Sequence, residues 1–459
     1  MPFRCFCRNF GRCFCLFLAA TLCGPGAAAP PDPYQHHDGR VPSGYAGPLF
    51  KLSHDYPSRL PAPPMPWRDA IKQLPLGTGN AAAYTEALKA SVAQDMAALL
   101  AADGRWDAGA RGWYNDPWLG SQREALHGML VGIERVDPAL FPKSGLRKPF
   151  TTYVVTYYDR TAAQTIGRIW AGNPHAPQLA GGATQYAEGS LTVKLAFTTA
   201  GPAEWPAMRG ALSWPIAMTA NATTGHFDRP TLARGYLMQV DIAVKDTRSS
   251  PQTGWVFTTF VYDRDARPAG GAIWDRMVPL GAQWGNDPAA DSARDPAAPL
   301  RETWINPQAP LYARETLGWG GRLSGPNDHG VNDISVAGRG TRVLVRNARN
   351  SSCLSCHGSS QWNPSNPDKG MASFMMPLAA PAPGAAPNAG APYLNSPVPG
   401  SAEWLRWFQN RPGNVPMDAG SIAGDYDLAL TFRVLPAWHA ATTGQAHTLQ
   451  KLDAGGAQR

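Results

Sequence analysis

Beyond its first 29 residues the 459-residue chain has only two cysteines, Cys353 and Cys356; the other five, Cys5, Cys7, Cys13, Cys15 and Cys23, fall inside that opening stretch. A framework of structural disulfides is therefore excluded for the body of the chain. No later apolar run reaches the roughly 20 residues that a membrane-spanning helix needs, and no internal repeat marks a solenoid or propeller. Charge excess is also small. The net +7 becomes +4 once Arg4, Arg8 and Arg12 are set aside, too little over so long a chain for a nucleic-acid-binding surface. There is no His-Glu-x-x-His pattern and no nucleophile elbow, and Gly318-Trp319-Gly320-Gly321 lacks the Lys-Ser/Thr ending of a phosphate loop. Metallohydrolase, serine-hydrolase and nucleotide-binding readings lose their usual signatures with them.

What is present describes a globular protein: 44% hydrophobic and 16% charged residues, with 47 Gly and 44 Pro that favour loops and short strands over long helices. Residues 1–29 read as an export signal, with a basic start, an apolar run over 13–23 and small residues at Gly26, Ala27, Ala28 and Ala29. An exported or periplasmic protein that does not span the membrane after signal removal is the expectation. Residues 30–66 form a Pro-rich extended arm. In the 67–148 region, Tyr84, Leu88, Val92, Met96 and Leu100 recur at helical spacing before Asp103-Gly104. A second helix is expected from Ser121, where Ser121 and Glu124 have capping-box spacing, until Pro138 stops it.

From 149 to 300 the period changes to two. Stretches 150–158, 191–199, 236–245 and 255–262 read as antiparallel strands, with Val240, Ile242 and Val244 alternating against Gln239, Asp241 and Ala243. The 301–459 region carries a Gly-rich lead, a strand over 341–345, the cysteine pair, a Pro/Ala-rich loop over 377–392, a Trp-rich helix near 403–409 and a final strand near 426–434.

Cys353-Leu354-Ser355-Cys356-His357 is the pattern for covalent haem attachment. Two thiols at this spacing match the two vinyl groups of a porphyrin, and the histidine after the second thiol falls beneath the iron. A structural zinc needs four ligands, and a second cysteine pair is missing. A redox dithiol would open a helix after a strand, which the flanking Ser351, Ser352, Gly358 and Ser359 do not favour. His357 is thus the candidate proximal ligand. Met375, Met376 and Met417 are candidate distal ligands, with Met371, His329 and His439 behind them. Trp319, Trp362, Phe374, Trp404, Trp407 and Phe408 are candidate walls of the haem pocket.

The 353–358 segment resembles the attachment site of the cytochrome c superfamily. Beyond it, Tyr158-Asp159 with Ala162-Ala163, Glu188-Gly189 leading to Lys194, Val244-Lys245-Asp246 and Thr253-Gly254-Trp255 follow the order of features in β-sheet cytochromes. Those are the hydroxylamine-oxidising cytochromes with a lysine-crosslinked haem and the cytochrome c-prime-beta proteins. The resemblance implies an antiparallel sheet cradling a five-coordinate haem, small nitrogen species or nitric oxide as ligands, and a crosslinking lysine to be sought among Lys194 and Lys245. The spacing departs from that family: about 90 residues separate Trp255 from the motif and about 100 follow it.

The expected fold class is α+β, with a helical N-terminal region, a central antiparallel sheet and a C-terminal, loop-rich haem-c region. The expected function is that of an exported monohaem cytochrome passing electrons to a periplasmic partner protein. The alternative is an enzyme or gas-binding protein with an open iron acting on peroxide, hydroxylamine or nitric oxide.

Overall fold

Alternation along the strands gives the central sheet two working faces. In a computed structural model that describes residues 31–59, 61–222, 225–266, 271–328, 335–338, 341–344, 351–367, 400 and 402–445, nine strands pair antiparallel in one sheet. They are β1 (Trp113–Tyr114), β2 (Leu130–Val131), β3 (Thr152–Asp159), β4 (Leu191–Thr198), β5 (Ser213–Asn221), β6 (Gly225–Lys245), β7 (Trp255–Tyr262), β8 (Met277–Gln283) and β9 (Thr303–Ile305). The spatial path is β1-β3-β4-β6-β7-β8-β9, with β2 added to β3 and β5 to β6. The α+β class read from the sequence is the class the chain adopts. The described residues from Asp32 onward form one compact unit.

Tyr153, Val155 and Tyr157 of β3, Val193 and Leu195 of β4, and Val240, Ile242 and Val244 of β6 belong to the larger hydrophobic core. The helix α2 (Ala81–Ala102), preceded by the short α1 (Pro66–Ala70), joins that core and packs against β8. Tyr84, Leu88, Val92, Met96 and Leu100 are all buried on it, as their spacing requires. Burial of each such side chain stabilises by about 1.5–3 kcal/mol. Asp103 and Gly104, both with positive φ, end the helix.

A second, smaller core gathers Tyr158, the helix α3 (Arg160–Trp170), Trp255, Phe257, Leu354 and Leu430. Asp159 starts α3 by accepting the Ala162 amide at 2.8 Å and ties it to β4 through the Leu191 amide at 3.0 Å. After α4 (Leu311–Arg314) come the hairpin β10 (Ser335–Gly338) and β11 (Thr341–Leu344), where a strand was expected, then α5 (Cys353–His357). Strand β12 (Gln361–Trp362) pairs with β13 (Ile422–Ala423). The short helix α6 (Ala402–Leu405) runs into a 3₁₀ turn, Arg406–Phe408, at the expected Trp-rich helix.

Two expectations are corrected. Ser121 does not open a helix: a 3₁₀ turn, Gly120–Gln122, gives way to a loop and to β2. The buried Glu124 carboxylate accepts the amides of Leu126, His127, Met129 and Ala217, so it organises a tight loop rather than a helix cap. The final segment is helical, not extended: a π-helical turn, Leu430–Val434, leads into α7 (Leu435–Thr443). Leu428, Leu430, Phe432 and Val434 alternate like a strand. Asp427, however, accepts the Leu430 amide at 3.1 Å and starts a helix there.

The expected export signal, Met371, Phe374, Met375, Met376, His329 and the 377–392 loop lie outside the described residues. Among the described residues, no helix is long and apolar enough to cross a membrane.

Candidate functional site

A cavity of about 350 Å³ lies against the sheet face opposite α2, and Cys353, Cys356 and His357 all line it. Strand alternation and register build its floor. One row runs across four strands as Thr156, Lys194, Asp241 and Thr259, each paired with the next; the adjacent row runs Tyr158, Thr192, Ala243 and Phe257. Directly opposed residues stand about 4.5–5.5 Å apart, so each row is a continuous strip of side chains. Leu130 and Ile133, Phe432 and Arg433 of the π-helical turn, and Asn327 and Asp328 are among the walls.

Helix α5 is short because its start and its end are both fixed locally. Ser352 accepts the Ser355 amide at 3.1 Å as the N-cap, and Gly358 ends the helix. Gln283 of β8 accepts the Leu354 amide at 3.0 Å and donates to Ser352 Oγ at 3.2 Å, fastening α5 to the sheet. Cys353 Sγ lies 4.0 Å from Thr259 Oγ1 of the floor. Neither cysteine is in a disulfide.

Burial pushes both thiols up from the ordinary cysteine range, and the Asp328 carboxylate adds to the effect. They are therefore protonated at neutral pH, the opposite of the lowered thiol that redox dithiols use. Burial lowers the His357 imidazole to about 4, although the Tyr426 carbonyl opposes the shift. The ring is neutral at pH 7. Its Nδ1 lies 2.7 Å from the carbonyl oxygen of Tyr426, which can only accept, so Nδ1 carries the proton and Nε2 is the basic nitrogen. Phe257 flanks the ring at 4.5 Å between centroids.

Two polar groups stand in the cavity. Lys194 Nζ is 2.9 Å from both Asp241 and Asp328, while Gln239 bridges the same two carboxylates at 2.7–2.9 Å. Burial alone would lower the ammonium, but the two carboxylates overcome it and raise Lys194. Asp427, half-buried, accepts from Tyr186 at 2.5 Å and from Tyr158 at 3.3 Å. Burial raises Asp427, and it raises the nearby Asp116 to about 8, with Asp427 adding to the latter.

Of the motif-derived residues, then, Cys353, Cys356, His357 and Lys194 come together. Lys245 does not join them. It lies outside the cavity lining and donates to Asp425 at 2.6 Å beneath Trp255. Met417 is half-buried in the 411–421 loop, and His439 on α7 packs against Trp362; neither lines the cavity.

Of the expected aromatic walls, Trp319, Trp362, Trp407 and Phe408 lie outside the cavity lining. Trp319 and Phe408 enclose the guanidinium of Arg322, and Trp362 sits in the smaller core. Tyr158, Phe257 and Phe432 supply the cavity's aromatic surface instead. They come from strand and helix elements far from the motif in sequence, which is why proximity to the cysteines misplaced the wall. Tyr426 and Asp427, expected in a strand, follow a Gly424-Asp425 step whose turn chemistry marks the break.

No family model, curated protein or solved structure matches the chain.

This donor set fits a covalently held porphyrin. It offers two thiols outside any disulfide, one neutral imidazole with a fixed tautomer, and a cavity with an apolar side and a charged floor. Among the described residues, no cluster of three or more His, Cys, Asp or Glu side chains offers a bare metal ion its ligands. A single histidine suffices only where a macrocycle supplies the other donors.

Proposed function

We propose that the protein is an exported monohaem c-type cytochrome, with haem joined to Cys353 and Cys356 and its iron ligated by His357. The observation that carries this reading is the commitment of His357 Nδ1–H to the Tyr426 carbonyl. That bond leaves Nε2 as the ligating nitrogen on a residue that shares one cavity with both motif cysteines. Such a backbone partner holds the ring orientation and raises its basicity toward a metal.

Haem, when bound, supplies an iron that takes up or releases one electron. The chain does the rest. Tyr158, Phe257 and Phe432 exclude water from one side, His357 keeps its proton on Nδ1, and Lys194 balances charge within the floor. Electron transfer with an exported partner protein is the role this arrangement serves.

A second reading is favoured by the charged floor. Asp241, Asp328 and Lys194 face a cavity in which no described methionine and no second described histidine is found. A site that binds a small polar molecule at an open iron has a direct use for such groups. Of Lys194 and Lys245, the two lysines among which the β-sheet cytochrome resemblance seeks a crosslink, Lys194 is the one that lines the cavity.

The deciding experiment is expression in a periplasm competent for haem attachment, followed by denaturing electrophoresis with haem stain and optical spectroscopy. Haem that remains with the chain, a low-spin spectrum and a methionine-to-iron charge-transfer band support the electron carrier. A high-spin spectrum unchanged in Met375→Ala, Met376→Ala and Met417→Ala supports the open-iron reading. A chain that leaves the gel without haem overturns both.

A further inference from the structure

Asp425 and Tyr426 are consecutive non-glycine residues in the left-handed region, with φ of 48° and 66°. L side chains resist this conformation, and two in succession persist only where surrounding contacts over-determine them. Those contacts are specific. The fully buried Asp425 carboxylate receives Lys245 Nζ at 2.6 Å and the Trp255 indole at 2.8 Å on Oδ1, and the Tyr186 amide at 2.7 Å on Oδ2. On the other side of the turn, the Gly424 amide donates to the Ser360 carbonyl at 2.9 Å, and Ser360 Oγ donates to the Asp427 carbonyl at 2.7 Å. Between these anchors the Tyr426 carbonyl is turned toward His357 Nδ1.

Lys245 and Trp255 are themselves paired across β6 and β7, two of the strands that form the cavity floor. A connected path therefore runs from the sheet, through a buried ion pair, to the one backbone carbonyl that sets the histidine tautomer. A buried ion pair is poor evidence of stabilisation alone, since apolar residues of similar volume often serve as well. An apolar pair here would fill the space but would not hold two residues left-handed.

We propose that Lys245 and Asp425 are positioning residues for His357: they lock the Asp425-Tyr426 turn so that the Tyr426 carbonyl fixes the proton on Nδ1 and strengthens Nε2 as a ligand. The consequence for an iron rests on the haem reading, but the tautomer belongs to the chain itself. With the lock intact, a more basic imidazole favours the oxidised metal and lowers the reduction potential.

The test uses the full chain, with ¹⁵N-labelled histidine assigned through His357→Gln, in wild type, Lys245→Met, Lys245→Arg and Asp425→Asn. The wild type is expected to show His357 as a single Nδ1–H tautomer, with or without haem. Lys245→Met is expected to convert it to a mixture of tautomers and, in haem-loaded protein, to raise the midpoint potential while covalent haem is retained. Lys245→Arg is expected to restore both. Should Lys245→Met fail to fold, Asp425→Asn is read in its place, because asparagine tolerates the left-handed region and keeps the side-chain shape while removing the charge. Folded Lys245→Met or Asp425→Asn protein with wild-type nitrogen shifts would overturn the proposal, and an unchanged midpoint in haem-loaded variants would do the same. Absence of covalent haem in the wild type would instead overturn the proposed function, leaving the nitrogen shifts to decide this inference.

Discussion

Lys194 stands between Asp241 and Asp328, its ammonium 2.9 Å from a carboxylate oxygen of each. One cation thus offsets two carboxylates inside the cavity. Replacing Lys194 with Met should remove that compensation and lower stability by about 3 kcal/mol at pH 7. Urea unfolding of the two proteins measures it. The difference should shrink as pH falls and the acids take up protons; a difference that stays constant down to pH 4 would count against the account.

His127 stacks on Trp214 with ring centroids 4.4 Å apart, and its Nε2 is buried without a partner. Burial lowers it to about 4, below the ordinary 6.5. Between these values the unfolded chain binds a proton that the folded chain refuses, so this contribution is fully present above pH 6.5 and is lost as pH falls toward 4. The full loss is about 3 kcal/mol. His127→Phe, which retains the stacked ring, should flatten the pH dependence of the denaturation midpoint in that window.

A methyl group at Gly413 would collide with Asp425 Oδ1 and lie 3.1 Å from Lys245 Nζ. Gly413→Ala should therefore force the ion pair apart, costing about 1–3 kcal/mol as overpacking does. Thermal unfolding gives the cost. A variant as stable as wild type would mean that the 413 backbone yields without disturbing the pair.

Cys353 and Cys356 should each carry one thioether bond to haem. Cys353 Sγ touches the floor at Thr259, and Cys356 lines the same cavity. Single Cys→Ala variants should each keep haem on one bond, and the double variant should lose haem on a denaturing gel. Haem that survives in the double variant would exclude thioether attachment.

Much of the framework was legible because periodicity is a backbone property. The α2 spacing and the alternation of Val240, Ile242 and Val244 with Gln239, Asp241 and Ala243 each named a buried face. The same alternation put Asp241 and Ala243 on the opposite face, although nothing in one strand says that Lys194 faces Asp241. Register between strands decides that. Glu124 and the alternation after Asp427 misled the local reading: the distant Ala217 helps hold Glu124 in a loop, and the local cap of Asp427 on the Leu430 amide gives a helix where a strand was expected. The proximal turn was illegible for a stronger reason. Its carbonyl is set by side chains that the sequence separates widely.

That separation governs when the site can exist. Asp425 meets Trp255, Lys245 and Tyr186 across 170, 180 and 239 residues of chain. Contacts of such span pay their loop-closure entropy late, after local elements and hairpins are in place. The imidazole of His357 is therefore oriented among the last events of folding, and it should be released among the first during unfolding. The state of that single ring is then a readout of whether the whole chain has finished folding.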